Sequence, residues 1–302
     1  MTLVVVIGHM NPDSDSIISA IAITHLFNKR GIEANAYAQG EVNSETEYLL
    51  NKFGIEKPEI IYDLTDRKVA LIDTTDINQL PESISRANVF FIADHHQLGG
   101  LKTSGPVEAW IKPVGCTATI LKEVYDYYKI DIPSNIAGLM LGAIVSDTVL
   151  FKSPTTTEED KKVARELAKI AKISNLEEFG MELLKVKSSI EGIPAKKLLF
   201  RDFKNLDMNG NKIGVGQIEL VDLSMVDDVM GELAFEVKEV KDSGYHTVIL
   251  MLTDVIKEGT ELLYLSDDES VIHKAFGDNT KWLPGVLSRK KQIVPPLEKA
   301  FQ

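Results

Sequence analysis

Short apolar runs alternate with amphipathic stretches along the first part of the chain. This alternation is typical of βαβ units that build a largely parallel sheet. Strands are predicted near residues 3–7, 32–38, 69–72, 89–92 and 107–111. Helices are predicted near residues 17–30, 44–53, 117–128, 135–146, 158–172 and 176–187. The predicted fold class of this part is therefore α/β, with a mainly parallel sheet flanked by helices.

A break in this pattern divides the chain into two parts. Small residues, glycine and proline interrupt the helical pattern at residues 188–194, which we predict to be a linker between a first domain, 1–187, and a second, 195–302. The elements predicted in the second domain are a strand opening at Asp202, a hairpin turn at 209–211, a strand over 212–220, a helix from about 222 to 242, strands near 247–252 and 261–265, and a short helix before the tail. We expect a smaller, mixed α/β domain.

Composition narrows the class of partner and the compartment. The net charge of −12 argues against nucleic acid as the main partner, because nucleic-acid-binding proteins usually present a basic surface. A single cysteine, Cys116, excludes an intrachain disulfide and suits a reducing compartment. No charged-then-apolar leader and no apolar run of about 18 residues is found. We therefore expect a cytoplasmic protein that is neither secreted nor embedded in a membrane.

Ionisable side chains follow the apolar runs at the points where those runs end. Asp94-His95-His96 comes directly after the buried-strand pattern of residues 89–93. Three adjacent ionisable groups are costly to desolvate there unless a metal or a charged partner compensates them. A carboxylate and imidazoles are good ligands for a divalent cation, so the triplet predicts a metal site.

Other strand ends supply further ligands of the same kind. In open α/β sheets, ligands bind at the carboxyl ends of the strands. Two histidines and four aspartates make six candidate metal ligands: His9, Asp13, Asp15, Asp73, His95 and Asp147. They suffice for two cations if one carboxylate bridges, and its place at the end of a strand makes Asp73 the natural bridge.

Several of these acids also have a purely structural interpretation. Asp13 could cap the helix that follows it, and Asp73 or Asp147 could belong to a turn. Capping explains one acid of the first loop but not two acids and a histidine. We expect Asp13 and Asp15 to project similarly from an extended backbone, and Asp147, which has apolar neighbours, to be buried beside a charged partner.

The two adjacent histidines are expected to differ in role. Neighbouring side chains on an extended backbone point to opposite faces, so one imidazole should bind metal while the other exchanges a proton near neutral pH. Asp94 could orient one of the imidazoles. We interpret Cys116 as a small packing residue, and the helix start around residues 114–119 either as an anion site or as a capped end.

A basic segment stands out in the acidic chain: Ser288-Arg289-Lys290-Lys291-Gln292. Basic runs are usually solvated, but this one lies between apolar stretches, so part of it should face inward. Arginine and lysine together can clamp polyanionic oxygens, and Lys204 is a further candidate despite the usual surface position of lysines. A two-metal acidic site with a basic clamp fits attack of a metal-bridged hydroxide on phosphorus.

Five motifs together resemble the family II, manganese-dependent inorganic pyrophosphatases of the DHH phosphoesterase superfamily. They span essentially the whole chain in the family's order and lie at residues 8–16, 94–96, 113–119, 146–148 and 288–292. The resemblance implies hydrolysis of inorganic pyrophosphate to two phosphates by a hydroxide that bridges two divalent metals. It also implies a DHH metal-binding domain followed by a DHHA2-like substrate-binding domain that closes over it.

The resemblance also implies a role for each candidate. His9, Asp13 and Asp73 would hold one metal; Asp15, Asp73, His95 and Asp147 would hold the other. His96 would contact the substrate and assist proton transfer, with Asp94 beside it, while Lys204, Arg289 and Lys290 would bind pyrophosphate. The implied cofactors are two Mn²⁺ (or Co²⁺) per subunit and Mg²⁺ with the substrate. The implied assembly is a homodimer through the first domain.

Two departures and two alternatives accompany the resemblance. Thr74-Thr75 stands where the family often has His-Asn, and Gln97 stands where it often has Arg. A DHH-family exopolyphosphatase or nucleotide phosphodiesterase is the alternative enzyme. A phosphate-binding regulator with a decayed site is the non-enzymatic alternative, against which the six intact ligands argue.

Overall fold

The computed structural model of the protein describes residues 3–278 and 280–302. These residues form two compact units. The first comprises the described residues up to Phe151 together with Thr155–Leu183, and the second comprises Lys152–Pro154 and the described part of Leu184–Gln302. No helix among the described residues is long and apolar enough to cross a membrane.

A six-stranded parallel sheet forms the centre of the first unit, in the order β3-β2-β1-β4-β5-β6. Its strands are β1 Val4–Ile7, β2 Ala34–Ala38, β3 Glu59–Ile60, β4 Lys68–Ile72, β5 Asn88–Asp94 and β6 Glu108–Ile111. Its helices are α1 Ser14–Lys29, α2 Ser44–Phe53, α3 Thr117–Tyr128, α4 Ser134–Asp147 and α5 Glu158–Ala171, followed by α6 Leu176–Ser188. The predicted α/β class with a mainly parallel sheet is confirmed.

Burial on both faces explains why the central strands are apolar throughout. Val4 and Val6 of β1 pack on the side of the sheet that α1, α3 and α4 cover. Val5 and Ile7 pack on the opposite side, against a cluster that includes Leu80. A strand covered on both faces needs an unbroken apolar run, as in other parallel sheets. In this parallel sheet Ile7 pairs with Leu71, so the carboxyl ends of β1 and β4 share one edge.

The second unit contains a mixed five-stranded sheet in the order β11-β10-β9-β8-β7. Its strands are β7 Phe203–Met208, β8 Asn211–Leu220, β9 Thr247–Asp254, β10 Gly259–Ser266 and β11 Leu283–Pro284. Its helices are α7 Ala195–Leu199, α8 Met230–Asp242, α9 Glu269–Phe276 and α10 Val294–Ala300. Only β8 and β9 pair in parallel, and the other neighbours are antiparallel.

Some predicted elements differ in extent from the structure. The helix predicted over 222–242 is a 3₁₀ segment, Leu223–Val229, followed by α8. Helix α1 begins at Ser14, three residues before the predicted start, because the Asp13 side chain caps it. Strands β3 and β11, of two residues each, and the five-residue helix α7 were not predicted. The linker at 188–194 remains a prediction.

A buried carboxylate, Asp160, joins the loop before α3 to the start of α5. It accepts hydrogen bonds from Gly115 N (2.9 Å) and Thr119 Oγ1 (2.6 Å), and from Thr157 N (2.7 Å) and Oγ1 (2.6 Å). A Cβ on Gly115 would lie 2.8 Å from Asp160 Oδ2, so only glycine allows this close approach. Asp160 thereby fixes the segment 113–119 that lies beside the predicted ligands.

We predict that Asp160→Ala lowers the free energy of unfolding of the first unit by about 3 kcal/mol, because it leaves several buried donors without an acceptor. Fluorescence of Trp110 during urea unfolding, in a Trp282→Phe background, reports on this unit alone. Glu158→Ala, at an exposed position in the same helical turn, is the control and should change stability by less than about 0.5 kcal/mol. Equal effects of the two substitutions would contradict the role given to Asp160.

Candidate metal centre

Asp73 lies at the centre of the predicted site. It directly follows β4, its side chain is 1% exposed, and its N–H donates to the carbonyl of Ala93 at 2.8 Å. Its φ of 63° lies in the left-handed region, which non-glycine residues rarely adopt and which aspartate tolerates better than most. Such strained positions are found preferentially at functional sites.

His9 and Asp13 face one oxygen of Asp73. The Nε2 atom of His9 lies 3.5 Å from Asp13 Oδ2 and 3.5 Å from Asp73 Oδ2. The Nδ1 atom of His9 donates to the carbonyl of Met10 at 2.9 Å, so in the neutral ring the lone pair is on Nε2. Gly8 permits this loop to close, because a Cβ there would lie 1.8 Å from Ser16 Oγ, which accepts from His9 N.

The structure reconciles the two interpretations of Asp13 and corrects the backbone predicted for Asp15. Asp13 caps α1 by accepting from Ser16 N at 2.9 Å and still has Oδ2 facing His9. Asp15 lies in the first turn of α1 rather than on an extended segment, because the helix starts at Ser14. The two acids therefore project differently.

Asp15 occupies the N-terminus of α3. Its carboxylate is fully buried and accepts from Thr117 N at 2.6 Å, Ala118 N at 3.1 Å and Ser19 Oγ at 2.7 Å. The helix start that could have been an anion site is thus filled by a carboxylate of the chain itself, where the positive end of the helix dipole stabilises it.

His95 and His96 both face the other oxygen of Asp73. His95 Nε2 lies 3.5 Å from Asp73 Oδ1, and His96 Nδ1 lies 3.6 Å from it. The prediction that the two rings point to opposite faces is wrong, because β5 ends at Asp94 and the histidines lie in a bend where strand alternation no longer holds. The Nδ1 atom of His95 donates to the carbonyl of Val114 at 3.0 Å, which directs Nε2 toward Asp73.

Asp94 contacts His96 and is completely buried. Its Oδ1 accepts from both His96 N and His96 Nδ1, each at 2.9 Å. Burial alone would raise the pKa of Asp94, but the hydrogen bonds and charge of His96 outweigh burial and lower it. Asp94 therefore fixes the orientation of the His96 ring.

A third group brings Asp147 and Cys116 together with Asp15. One ligand atom from each lies within 4.8 Å of the others. Asp147 is the last residue of α4 and is half-buried, so the expected burial is found only in part. Cys116 is fully buried, and burial together with the charges of Asp15 and Asp147 raises the pKa of its thiol well above the usual value. The interpretation of Cys116 as a packing residue did not include its closeness to Asp15 and Asp147. Its place beside Thr117 in the motif 113–119 could have indicated this closeness.

The electrostatics of the cluster fit a bound cation. Burial and the charges of Asp15 and Asp13 raise the pKa of Asp73 well above its usual range. Burial would lower the pKa of His9, yet the charge and hydrogen bond of Asp13 and the contact with Asp73 raise it to about 10. Asp73 Oδ2 accepts no hydrogen bond from the described residues. A donor set of carboxylates and imidazoles suits Mn²⁺ and similar divalent ions.

The two positions that depart from the family pattern lie in contact. Thr75 Oγ1 accepts from Gly99 N at 3.2 Å and donates to the carbonyl of Gln97 at 3.4 Å. Thr74 Oγ1 accepts from Asp76 N at 3.0 Å. Thr75 therefore joins the loop after Asp73 to the loop after His96, whereas Thr74 stabilises its own loop, and neither side chain replaces a candidate ligand.

The candidate pyrophosphate-binding residues all belong to the second unit. Lys204 lies on β7, and Arg289 and Lys290 lie in a π-helical turn, Arg289–Ile293. Ser288 caps this turn by accepting from Lys291 N at 3.3 Å. The side chain of Gln292 returns to accept from Leu287 N (2.9 Å) and Ser288 N (3.0 Å). Ser288 and Gln292, the first and last residues of the basic segment, thus stabilise the backbone turn that carries Arg289, Lys290 and Lys291.

Comparisons with known proteins cover the whole chain. The family model for the N-terminal domain of the DHH family matches residues 3–144, and the DHHA2 domain model matches residues 181–300. A protein of Archaeoglobus fulgidus named "Probable manganese-dependent inorganic pyrophosphatase" is 48% identical over 99% of this chain and 98% of its own length. The manganese-dependent inorganic pyrophosphatase of Methanocaldococcus jannaschii is 42% identical over 98% of each chain.

Solved structures give the same result for the fold. The crystal structure of the "Methanococcus jannaschii putative family II inorganic pyrophosphatase" superimposes with a TM-score of 0.89 at 41% identity, and the match covers 99% of both chains. An exopolyphosphatase-related protein from Bacteroides fragilis matches with a TM-score of 0.52 at 14% identity, which shows the fold alone.

We predict that Asp73→Asn weakens Mn²⁺ binding, measured by calorimetry, at least about a hundredfold, because this one carboxylate faces the imidazoles of both histidine-bearing loops. Asp66→Asn is a matched control, since Asp66 precedes β4, also has a positive φ (57°) and is exposed. Asparagine tolerates the left-handed region, so both variants should fold. Unchanged Mn²⁺ affinity in Asp73→Asn would contradict the site.

Proposed function

The chain belongs to the manganese-dependent (family II) inorganic pyrophosphatases, and on that basis we propose that it hydrolyses pyrophosphate to two phosphates. The proposal is supported by the position of Asp73 between two groups of candidate ligands. Its Oδ2 faces His9 while its Oδ1 faces His95, so a single carboxylate would offer one oxygen to each of two cations. Two-metal sites of this kind suit displacement at phosphorus.

The proposed ligand sets combine the contacts of Asp73 with the roles that the family resemblance implies. His9 and Asp13 with Asp73 Oδ2 would hold one Mn²⁺. Asp15, His95 and Asp147 with Asp73 Oδ1 would hold the other, of which the contact between His95 and Asp73 is seen in the structure and the rest is implied by the resemblance. When bound, two such cations lower the pKa of a coordinated water and offset charge on phosphoryl oxygens. The chain's own contribution is to fix both imidazoles through their Nδ1–H bonds before any ion arrives.

His96 is the proposed proton donor to the leaving phosphate. Asp94 holds the Nδ1–H of His96, so the exchangeable proton would be on Nε2. Its ring is more exposed than that of His95, with 39% of the side chain accessible against 9%. A ring that is oriented on one side and accessible to solvent suits general acid catalysis.

Lys204, Arg289 and Lys290 are the proposed cations for pyrophosphate. Arginine presents a planar set of donors that matches phosphate oxygens, and lysines add compact positive charge. These three belong to a chain of net charge −12, so a basic segment capped at both ends is unusual enough to support a binding role.

The resemblance to the family supports several finer proposals. Co²⁺ would replace Mn²⁺, Mg²⁺ would accompany the substrate, and two chains would pair through the first unit. A cytoplasmic location is proposed because the single cysteine suits a reducing compartment.

The direct test is an assay of pyrophosphate, tripolyphosphate and a dinucleotide side by side with Mn²⁺. We expect fast release of phosphate from pyrophosphate, loss of activity with chelator and recovery on addition of Mn²⁺. Faster cleavage of tripolyphosphate or of the dinucleotide would instead support the exopolyphosphatase or phosphodiesterase alternative. Binding of phosphate without turnover of any substrate would indicate a regulator.

We predict that His96→Gln lowers kcat for pyrophosphate by about 10²–10³, because it removes the proton donor while leaving the proposed ligands in place. Calorimetry should show Mn²⁺ affinity within about threefold of the original chain. His273→Gln, at an exposed position of the second unit, is the control and should keep full activity. A large loss of Mn²⁺ affinity in His96→Gln would assign His96 to the metal instead.

A further inference from the structure

Asp202, a residue with no role in the proposed function, holds the side chain of Arg289. The Nη1 atom of Arg289 donates to the backbone carbonyl of Asp202 at 2.8 Å, and its Nη2 donates to Asp202 Oδ1 at 2.8 Å. The Arg289 side chain is 13% exposed, whereas that of Asp202 is 48% exposed. The guanidinium therefore lies against the protein with two of its five N–H donors engaged.

Asp202 is itself fixed by the sheet that carries Lys204. Its carbonyl accepts from Gln217 N at 2.9 Å, which continues the pairing of β7 with β8 by one residue, and Lys204 follows two residues later. The buried side chain of Gln217 donates to the carbonyl of Leu287 at 3.1 Å. The same two strands thus hold both the backbone before Arg289 and the partner of its guanidinium.

The negative charge of Asp202 has opposing effects on phosphate binding by Arg289. A carboxylate beside an anion-binding arginine reduces the attraction for phosphate, so on charge alone it is unfavourable. What it supplies is order: a long arginine loses rotamer freedom when it binds, and an arginine already held in one orientation loses less. Among the described residues no further hydrogen bond of Arg289 is found, so three of its N–H donors can meet phosphate oxygens.

We propose that Asp202 is a positioning residue for pyrophosphate, acting through Arg289. The inference rests on the proposed function, because it requires Arg289 to bind the substrate. Lysine could not replace Arg289, since an ammonium cannot satisfy the carbonyl and the carboxylate of Asp202 in the same planar geometry while facing a phosphate.

The test is a double-mutant cycle on the full chain, with imidodiphosphate and Mn²⁺ as the calorimetric probe and pyrophosphate turnover as a second readout. Asp202→Asn, which keeps an acceptor oxygen, should weaken imidodiphosphate binding about fivefold, and Asp202→Ala about tenfold or more. In an Arg289→Ala background, Asp202→Asn should change the affinity by less than about twofold. Asp267→Asn, which removes the charge of Asp267 from its ion pair with Lys241, is the matched control.

Each result is decisive. Unchanged or tighter binding in Asp202→Asn, or an equal loss with and without Arg289, would overturn the inference. Arg289→Lys provides an independent check if an Asp202 variant unfolds: binding within twofold of the original chain would also overturn it. A chain that binds imidodiphosphate and shows the cycle, yet leaves pyrophosphate intact, would refute the proposed function and retain the role of Asp202.

Discussion

Mutual repulsion among clustered carboxylates, of which Asp15 and Asp73 are buried and Asp13 is exposed, is the constraint on which the first unit depends. Asp13, Asp15 and Asp73 come together because parallel strands end at one edge of the sheet. Charges this close interact by several kcal/mol at the effective dielectric of a protein, so each needs a specific compensation. Asp15 is stabilised at the start of α3, and Asp13 at the start of α1. Asp73 accepts a hydrogen bond from Thr117 Oγ1 on one oxygen and faces imidazoles with both, an arrangement that a bound cation would stabilise further.

Residues with left-handed backbone conformations lie at or close after two of the proposed ligands, Asp73 and Asp147. Asp73 itself lies in the left-handed region, and Val149, Leu150 and Phe151 all have φ between 50° and 65° directly after the Asp147–Thr148 pair. Left-handed conformations cost L-residues roughly 1–2 kcal/mol each, and β-branched residues are the least tolerant. Two of the proposed ligands thus lie at or close before strained backbone, which is found preferentially where function rather than stability selects the conformation.

Sequence patterns predicted the sheet and the proposed ligand positions because both depend on strand ends. An apolar run followed by an acid is visible in the sequence, and parallel pairing brings such ends together. The orientation of His95 and His96 was not predictable, because it depends on a bend after β5 rather than on strand alternation. The contacts of Cys116 and Asp202 were also missed. Each depends on residues far apart in the chain, which no local period reports.

Anomalous scattering from crystals grown with Mn²⁺ is the most direct way to determine whether Asp73 is shared between two divalent cations. Data collected at the manganese absorption edge should show two peaks per chain. One should lie among His9, Asp13 and Asp73, and the other among Asp15, Asp73, His95 and Asp147. A single peak, or peaks that leave Asp73 without a metal contact, would contradict the proposed sharing of Asp73 by two cations.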